Sequence, residues 1–334
     1  MKIYKKYSLN QCALYKCSSK KKLEHLLNIE NGKLKNIESA IRYSQFSIDK
    51  KNSDEKRIIT APQYTIKRVQ KRILNLLQHV ERPEWLISGE KGKTYIDNGE
   101  AHRGNLYAVT IDIKQFYDNC VREPVYSFFL NKMQTKPDIA KILTDIVTYN
   151  GGIPTGCPTS QLIAYYAYED MFAEISKIAE KYNCVFTLYV DDMTFSSIEP
   201  INYRRMVQEI DVILRKYGHK PKYKKVKYYP KSKDTPITGT IINKNGDLEV
   251  PNTLQKSVYD KFTIIKELDP SIEIVDSDTK KTLLSLKGQI QATKRIEENK
   301  FPEISRIVGE YSIEKEKPKR KSKKYPKGKI HIPN

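Results

Sequence analysis

The chain of 334 residues is poor in cysteine (five), histidine (five) and tryptophan (one), and its 40 acids are outnumbered by 60 bases. Each shortage excludes something. Cys12, Cys17, Cys120, Cys157 and Cys184 form no Cys-x-x-Cys pair, and the histidines are scattered. That argues against a disulfide framework or a zinc site and for a reducing cytoplasm. No apolar run is long enough to span a bilayer, so no membrane partner is expected. The opening MKIYKKYSLNQCALYKC lacks the apolar core of a secretory signal. The shortage of acid leaves a formal net charge of +20. An excess that large repels itself unless a polyanion is near, which makes nucleic acid the leading partner.

What is present is enough for a folded protein. Hydrophobic residues make up 39% of a length that can bury a large core in two or three subdomains. Tyrosine is abundant at 23 residues. Packing accounts for most of them, and some are available to stack on bases.

Residues 1 to about 52 read as polar and helical. EKRIITAP (55–62) is a short strand-like run stopped by Pro62, and from Ile66 to Val80 apolar residues recur at helical spacing. Lys67, Arg68, Lys71 and Arg72 lie on or beside the other face of that helix, as a solvated surface or a track for phosphates. Residues 89–105 are rich in Gly, Asn and charge and read as loop. A strand over 106–113 ends in one acid, Asp112. Helices are expected over 122–149, a loop over 150–161, then a long helix. CVFTLYVDDMTFSS (184–197) reads as two short strands joined at Asp191 and Asp192. A helix over 202–217, a basic connector over 220–233, a hairpin turning at Asn245–Gly246, and helices over 254–311 complete the pattern.

Acids pressed together inside apolar strands repel one another unless something neutralises them. A divalent cation does this best, and hard oxygen ligands suit Mg²⁺. Successive strand residues face opposite sides, so a regular strand cannot aim both acids at one ion. A tight bend lifts that limit. Asp191 is therefore expected as a direct ligand and Asp192 as a weaker one, with Asp112 completing the cage from a neighbouring strand. Two Mg²⁺ ions held this way would grip a triphosphate and activate a hydroxyl, which is nucleotidyl transfer.

At this point the chain resembles a bacterial retron-type reverse transcriptase over roughly residues 55–290. YVDD (189–192) looks like the polymerase box, with Val190 where Ala is usual. TIDIKQFYDN is similar to the strand bearing the first catalytic acid, GIPTGCPTSQ to the Pro-Gln-Gly box, and KRIITAP to the first fingers motif. NGEAH (98–102) resembles the retron element Asn-Ala-x-x-His, and PITGTIIN the Val-Thr-Gly element after the palm. Thr155 stands in place of Gln, Gln161 of Pro, Gly99 of Ala and Ile237 of Val.

The resemblance implies an α+β right-hand polymerase fold. Its parts would be an N-terminal helical extension (1–52), fingers (53–105), a palm with inserted elements (106–250), a helical thumb (251–311) and a basic flexible tail (312–334). The palm would be an antiparallel sheet backed by helices. It implies Asp112, Asp191 and Asp192 as the catalytic, metal-binding triad, with the Ile113 carbonyl as a further metal contact and two Mg²⁺ as cofactor. Tyr117 would pack under the sugar and exclude a 2′-hydroxyl. Lys56 and Arg57 would hold the triphosphate, and Pro154, Thr155 and Gly156 would border the nucleotide. Asn98 and His102 serve either as braces or as RNA contacts, and Thr238 and Gly239 as RNA contacts. Lys222, Lys224, Lys225 and Lys227 in the connector, and the lysines at 315–329, would attract phosphates without reading bases.

Implied partners are dNTPs, a cognate noncoding RNA and its branched RNA–DNA product, msDNA. An effector protein from the same operon and a host RNase H that trims the template complete the set, the whole serving antiphage defence. Priming would start from a guanosine 2′-hydroxyl. The alternatives are another bacterial defence reverse transcriptase with protein-primed or untemplated synthesis, and a non-catalytic RNA-binding scaffold.

Overall fold

A computed structural model describes residues 6–49, 56–313 and 328–332, without the side chain of Arg57. Helix α1 (Lys20–Leu27) is capped by Ser19, whose hydroxyl accepts from the Lys22 amide, and a single turn, α2 (Ile37–Ala40), follows. Next, β1 (Tyr43–Asp49) and β2 (Lys56–Pro62) form an antiparallel ribbon with Tyr43 opposite Pro62 and Asp49 opposite Lys56. β1 corrects the helical reading of this stretch. Six of its seven residues are exposed, so it carries none of the in–out alternation by which strands are recognised.

Helix α3 (Tyr64–Leu77) buries Ile66, Val69, Ile73, Leu76 and Leu77, the stripe that the spacing predicts. Two of its cations serve the fold instead of lining a phosphate track. Arg68 donates to the Gly328 carbonyl at 3.0 Å and Arg72 to that of Leu26 at 2.8 Å. The stretch 89–105 is not all loop. It holds α4 (Tyr95–Glu100), started by a capping box in which Asp97 Oδ2 accepts from the Thr94 amide and Thr94 Oγ1 from the Ile96 amide.

Strand β3 (Tyr107–Asp112) enters the core with Ala108, Val109 and Ile111 buried. Helix α5 (Arg122–Ser127) runs on through a π-helical turn to Lys132, and α6 (Pro137–Val147) begins on its proline. The long helix expected next is two, α7 (Ser160–Ala167) and α8 (Glu169–Lys181), broken at Tyr168, whose backbone leaves the helical region. That break sends the Tyr168 hydroxyl to the Asn119 carbonyl. Then come β4 (Val185–Tyr189), β5 (Asp192–Ser197) and α9 (Tyr203–Lys216). The basic connector contributes a strand, β6 (Lys227–Tyr229).

These strands form one antiparallel sheet in the order β4–β5–β3–β6. Its apolar residues, among them Val109, Ile111, Leu188, Met193 and Phe195, join Phe172, Ile175, Met206 and Ile210 of α8 and α9 in the main core. Burying a side chain of that size is worth about 1.5–3 kcal/mol, so this sheet–helix layer is where rigidity is concentrated.

A second sheet follows, of β7 (Thr235–Ile237), β8 (Thr240–Ile242) and β9 (Leu248–Glu249). The expected Asn-Gly turn lies between β8 and β9. A tighter, unforeseen one at Thr238–Gly239 joins β7 to β8. Helices α10 (Asn252–Lys266), α11 (Ser277–Ile296) and α12 (Pro302–Glu310) pack round their own core of Val258, Ile265, Leu283, Leu286 and Val308. The lysines at 315–327 lie outside the described residues. The last described stretch is docked and not a free tail: Ile330 pairs with Ile29, and Ile332 is fully buried.

Candidate active site

The register of the four-stranded sheet gathers the three acids. Asp112, the last residue of β3, lies opposite Asp192, the first of β5. Tyr189 and Asp192 close the β4–β5 hairpin, leaving Val190 and Asp191 as its turn. The Ile113 amide donates to the Asp191 carbonyl at 3.1 Å, which ties the turn to the end of β3. Asp191 is thereby released from the strand's alternation, as a bend should do.

The turn is strained. Val190 has φ +63°, a conformation that a β-branched residue rarely adopts. Its amide is held by the Ser88 hydroxyl at 2.7 Å. The segment before Ser88 runs beside β4, with the Leu188 amide donating to the Trp85 carbonyl and the Ile87 amide to that of Leu188.

The electrostatics follow from crowding. Burial, then the charges of Asp192 and Asp112, push the Asp191 carboxyl up to about 6. Burial and Asp112 also raise Asp192, against the opposing pull of Lys225. Lys225 donates to Asp112 Oδ2 at 2.6 Å, and that bond raises the lysine. Lys225 is thus part of the acid cluster, where an RNA-facing surface lysine was expected. The Lys222 amide donates to the Asp112 carbonyl at 2.7 Å, so the connector clamps β3 through its backbone too.

Clustered carboxylates that resist ionisation are the donor chemistry that a hard divalent cation satisfies. As placed, with Lys225 on Asp112, they do not surround one point. Among the described residues no group of three or more His, Cys, Asp or Glu is arranged to hold a metal. The carboxylates fit such ions by charge and proximity, and Lys225 is the cation bonded to Asp112. Ile113 is buried beside Pro221.

Beyond the acids lies a solvent-open cleft of about 660 Å³, lined by Asp112, Asp192, Lys225, Lys227, Tyr229 and Thr238 among others. Tyr117 is half-buried at the start of a short 3₁₀ turn after β3, packed on Phe116. Lys56 is exposed on β2; the side chain of Arg57 is outside the described residues.

The loop holding Pro154, Thr155 and Gly156 docks on the ribbon. The Gly156 amide donates to the Thr60 carbonyl at 3.0 Å, and Thr155 Oγ1 to that of Ile58 at 3.4 Å. A Cβ on Gly156 would stand 2.5 Å from the Thr60 oxygen. The close approach that this glycine permits here is to strand β2. Lys222, Lys224 and Lys227 are exposed, as a phosphate-attracting surface requires.

Asn98 and His102 are corrections as RNA contacts, because both are fully buried. The His102 ring joins Ser196 Oγ and Thr187 Oγ1, each at 2.7 Å, so it braces both strands of the β4–β5 hairpin. Burial depresses it to about 3 and keeps it neutral. Asn98 Nδ2 donates to Thr238 Oγ1 at 2.8 Å. Sequence reasoning missed Ser88, which no local pattern marks, and the place of Lys225, hidden among equivalent lysines.

A family model described as reverse transcriptase (RNA-dependent DNA polymerase) matches residues 48–242. The chain is 26% identical over 194 residues to the retron Se72 reverse transcriptase of Salmonella heidelberg, covering 57% of this chain and 51% of that one. It is 25% identical over 173 residues to the retron Ec86 reverse transcriptase of Escherichia coli (51% and 54%). Against the retron Ec83 reverse transcriptase of the same species it is 22% identical over 287 residues (82% and 89%). The chain spans about half the length of the first two. Among solved structures, a foamy viral protease–reverse transcriptase in complex with double-stranded DNA is similar at TM-score 0.49 and 15% identity, over 80% of this chain and 38% of that one. Apo telomerase from Candida tropicalis is similar at TM-score 0.48 and 12% identity, over 74% and 52%.

Proposed function

The chain belongs to the reverse transcriptase (RNA-dependent DNA polymerase) family, and from that premise we propose that it is a retron-type enzyme that copies a cognate structured RNA into DNA. In this reading the β1–β2 ribbon and α3 serve as fingers, the four-stranded sheet as palm, and α10–α12 as thumb. The observation that carries the proposal is the register of the sheet, with Asp112 opposite Asp192 and Asp191 in the adjoining turn.

Asp112, Asp191 and Asp192 would hold two Mg²⁺, which supply Lewis acidity to the attacking hydroxyl and the leaving phosphate. Lys225 bonds Asp112 and would share that carboxylate with a bound cation. Tyr117 would bound the sugar side of the pocket, and Lys56 and Arg57 would reach the triphosphate from β2. Thr238, which lines the cleft, and the adjoining Gly239 would bear on the nucleic acid, with Lys222, Lys224 and Lys227 attracting its backbone.

Similarity to several retron enzymes supports the retron subgroup. The finer parts of the proposal rest on that resemblance: guanosine 2′-hydroxyl priming, an msDNA product, trimming by host RNase H, an effector partner and antiphage defence. The test is to purify the protein from cells carrying its flanking DNA, isolate the bound nucleic acid, and assay primer extension in Mg²⁺. A branched RNA–DNA species with extension supports the proposal. Extension without a branched species moves the chain to another class of reverse transcriptase, and bound RNA without extension to a scaffold.

A further inference from the structure

The two elements that resemble retron motifs, Asn98–His102 and Thr238–Gly239, are far apart in sequence and in contact in the fold. Ile237 pairs with Thr240, so Thr238 and Gly239 form a two-residue hairpin turn. Both have positive φ, +42° and +95°. A turn with two left-handed residues ordinarily takes Asn-Gly or Asp-Gly. Threonine is β-branched and disfavoured there.

Something must hold it, and Asn98 does. Its Nδ2 donates to Thr238 Oγ1, whose hydroxyl in turn donates to the Tyr95 carbonyl at 3.4 Å. The turn is thus bonded at two points about one helical turn apart on α4. Gly99 lets that helix lie close enough, since a Cβ there would stand 2.1 Å from Thr240 Oγ1. This accounts for glycine where the resembling element has alanine.

Asn98 is an expensive way to fill space. Its Oδ1 is buried without a partner, and a buried, unsatisfied polar group is destabilising. An apolar residue would serve packing better. Thr238 in turn faces the cleft that Asp112 and Asp192 border.

We propose that Asn98 is a positioning residue: its buried amide locks Thr238 in the left-handed conformation and so fixes the Thr238–Gly239 turn against the nucleic-acid strand entering the catalytic cleft. The inference rests on the polymerase reading, since the strand end is what the carboxylates would act on. Asn98 works through the turn and touches no substrate.

The test uses rescue. Parent, Asn98→Ala and Asn98→Ala/Thr238→Asn proteins are compared by anisotropy of a fluorescent primer–template, by KM for primer–template and for dNTP, and by thermal unfolding. The second substitution restores the Asn-Gly signature, which adopts this turn unaided. Asn98→Ala is expected to weaken primer–template binding about tenfold with the dNTP KM unchanged. The double variant should recover to within about twofold of the parent while its melting temperature stays as low as that of Asn98→Ala. Unchanged binding in folded Asn98→Ala, or a double variant as impaired as the single, overturns the proposal. Should Asn98→Ala not fold, Thr238→Val removes the same bond from the turn's side and must show the same binding loss. A parent that binds primer–template and extends nothing would sink the polymerase reading, while the anisotropy series still decides the role of Asn98.

Discussion

Removing the Ser88 hydroxyl should damage catalysis without touching an acid. In the folded protein that oxygen accepts from the Val190 amide at 2.7 Å, and Ser88 is only 6% exposed. Ser88→Ala leaves the amide without its partner in a partly buried site, a loss of about 1–3 kcal/mol. The bond also offsets a left-handed β-branched residue, which costs roughly 1–2 kcal/mol. If the turn stays, the protein loses stability by the first amount. If it relaxes, Asp191 moves with its neighbour and the loss appears in the transition state. At 1.4 kcal/mol per factor of ten, kcat should fall about ten- to a hundredfold. The proposed primer–template contacts lie elsewhere, so that KM should stay within about twofold. Single-nucleotide incorporation and urea unfolding read the two outcomes. Adding Val190→Gly removes the strain and should return most of kcat. Parental kcat and parental stability together in Ser88→Ala would refute the reasoning, as would a double variant no better than the single.

Other consequences can be checked separately. Neutralising Lys222, Lys224 and Lys227 together should weaken RNA binding and flatten its salt dependence by about 0.7–0.9 log units per charge; an unchanged slope removes them from the footprint. Lys225→Ala should differ from these three, with a marked fall in kcat, because its ammonium bonds Asp112. Stability should fall in acid. His219 is buried between Phe116 and Tyr168 with neither ring nitrogen bonded, and burial lowers it to about 4. The unfolded chain, titrating near 6.5, binds protons that the folded state refuses, so stability drops as pH falls below about 6.5. The loss from His219 alone is about 3 kcal/mol by pH 4. Denaturant unfolding at pH 7 and pH 5 tests this, and His219→Phe should flatten the dependence.

How much of this was legible in the sequence depended on whether an element had two sides. The β3, β4 and β5 strands are apolar inside a polar chain, so the strands and the acids at their ends stood out together. The β1 strand, with nearly every residue exposed, left no such trace. Helix α4 hid among Gly, Asn and charged residues; its signal was the Thr94–Asp97 capping box, which composition overrode. Strand β6 was masked by Lys227 and the lysines just before it, which give the whole connector the charge of a solvated loop. Asn98 and His102 could be noticed as residues, yet only the fold shows that their partners are Thr238, Ser196 and Thr187, some 85 to 140 positions on.

The most direct test of the central claim is DNA synthesis on a primed RNA template by the purified protein in Mg²⁺, run beside Asp191→Asn. The account predicts extension by the parent, none by the variant, and near-equal RNA binding by both. Extension that survives Asp191→Asn, or RNA binding that collapses with it, would contradict the assignment of these acids.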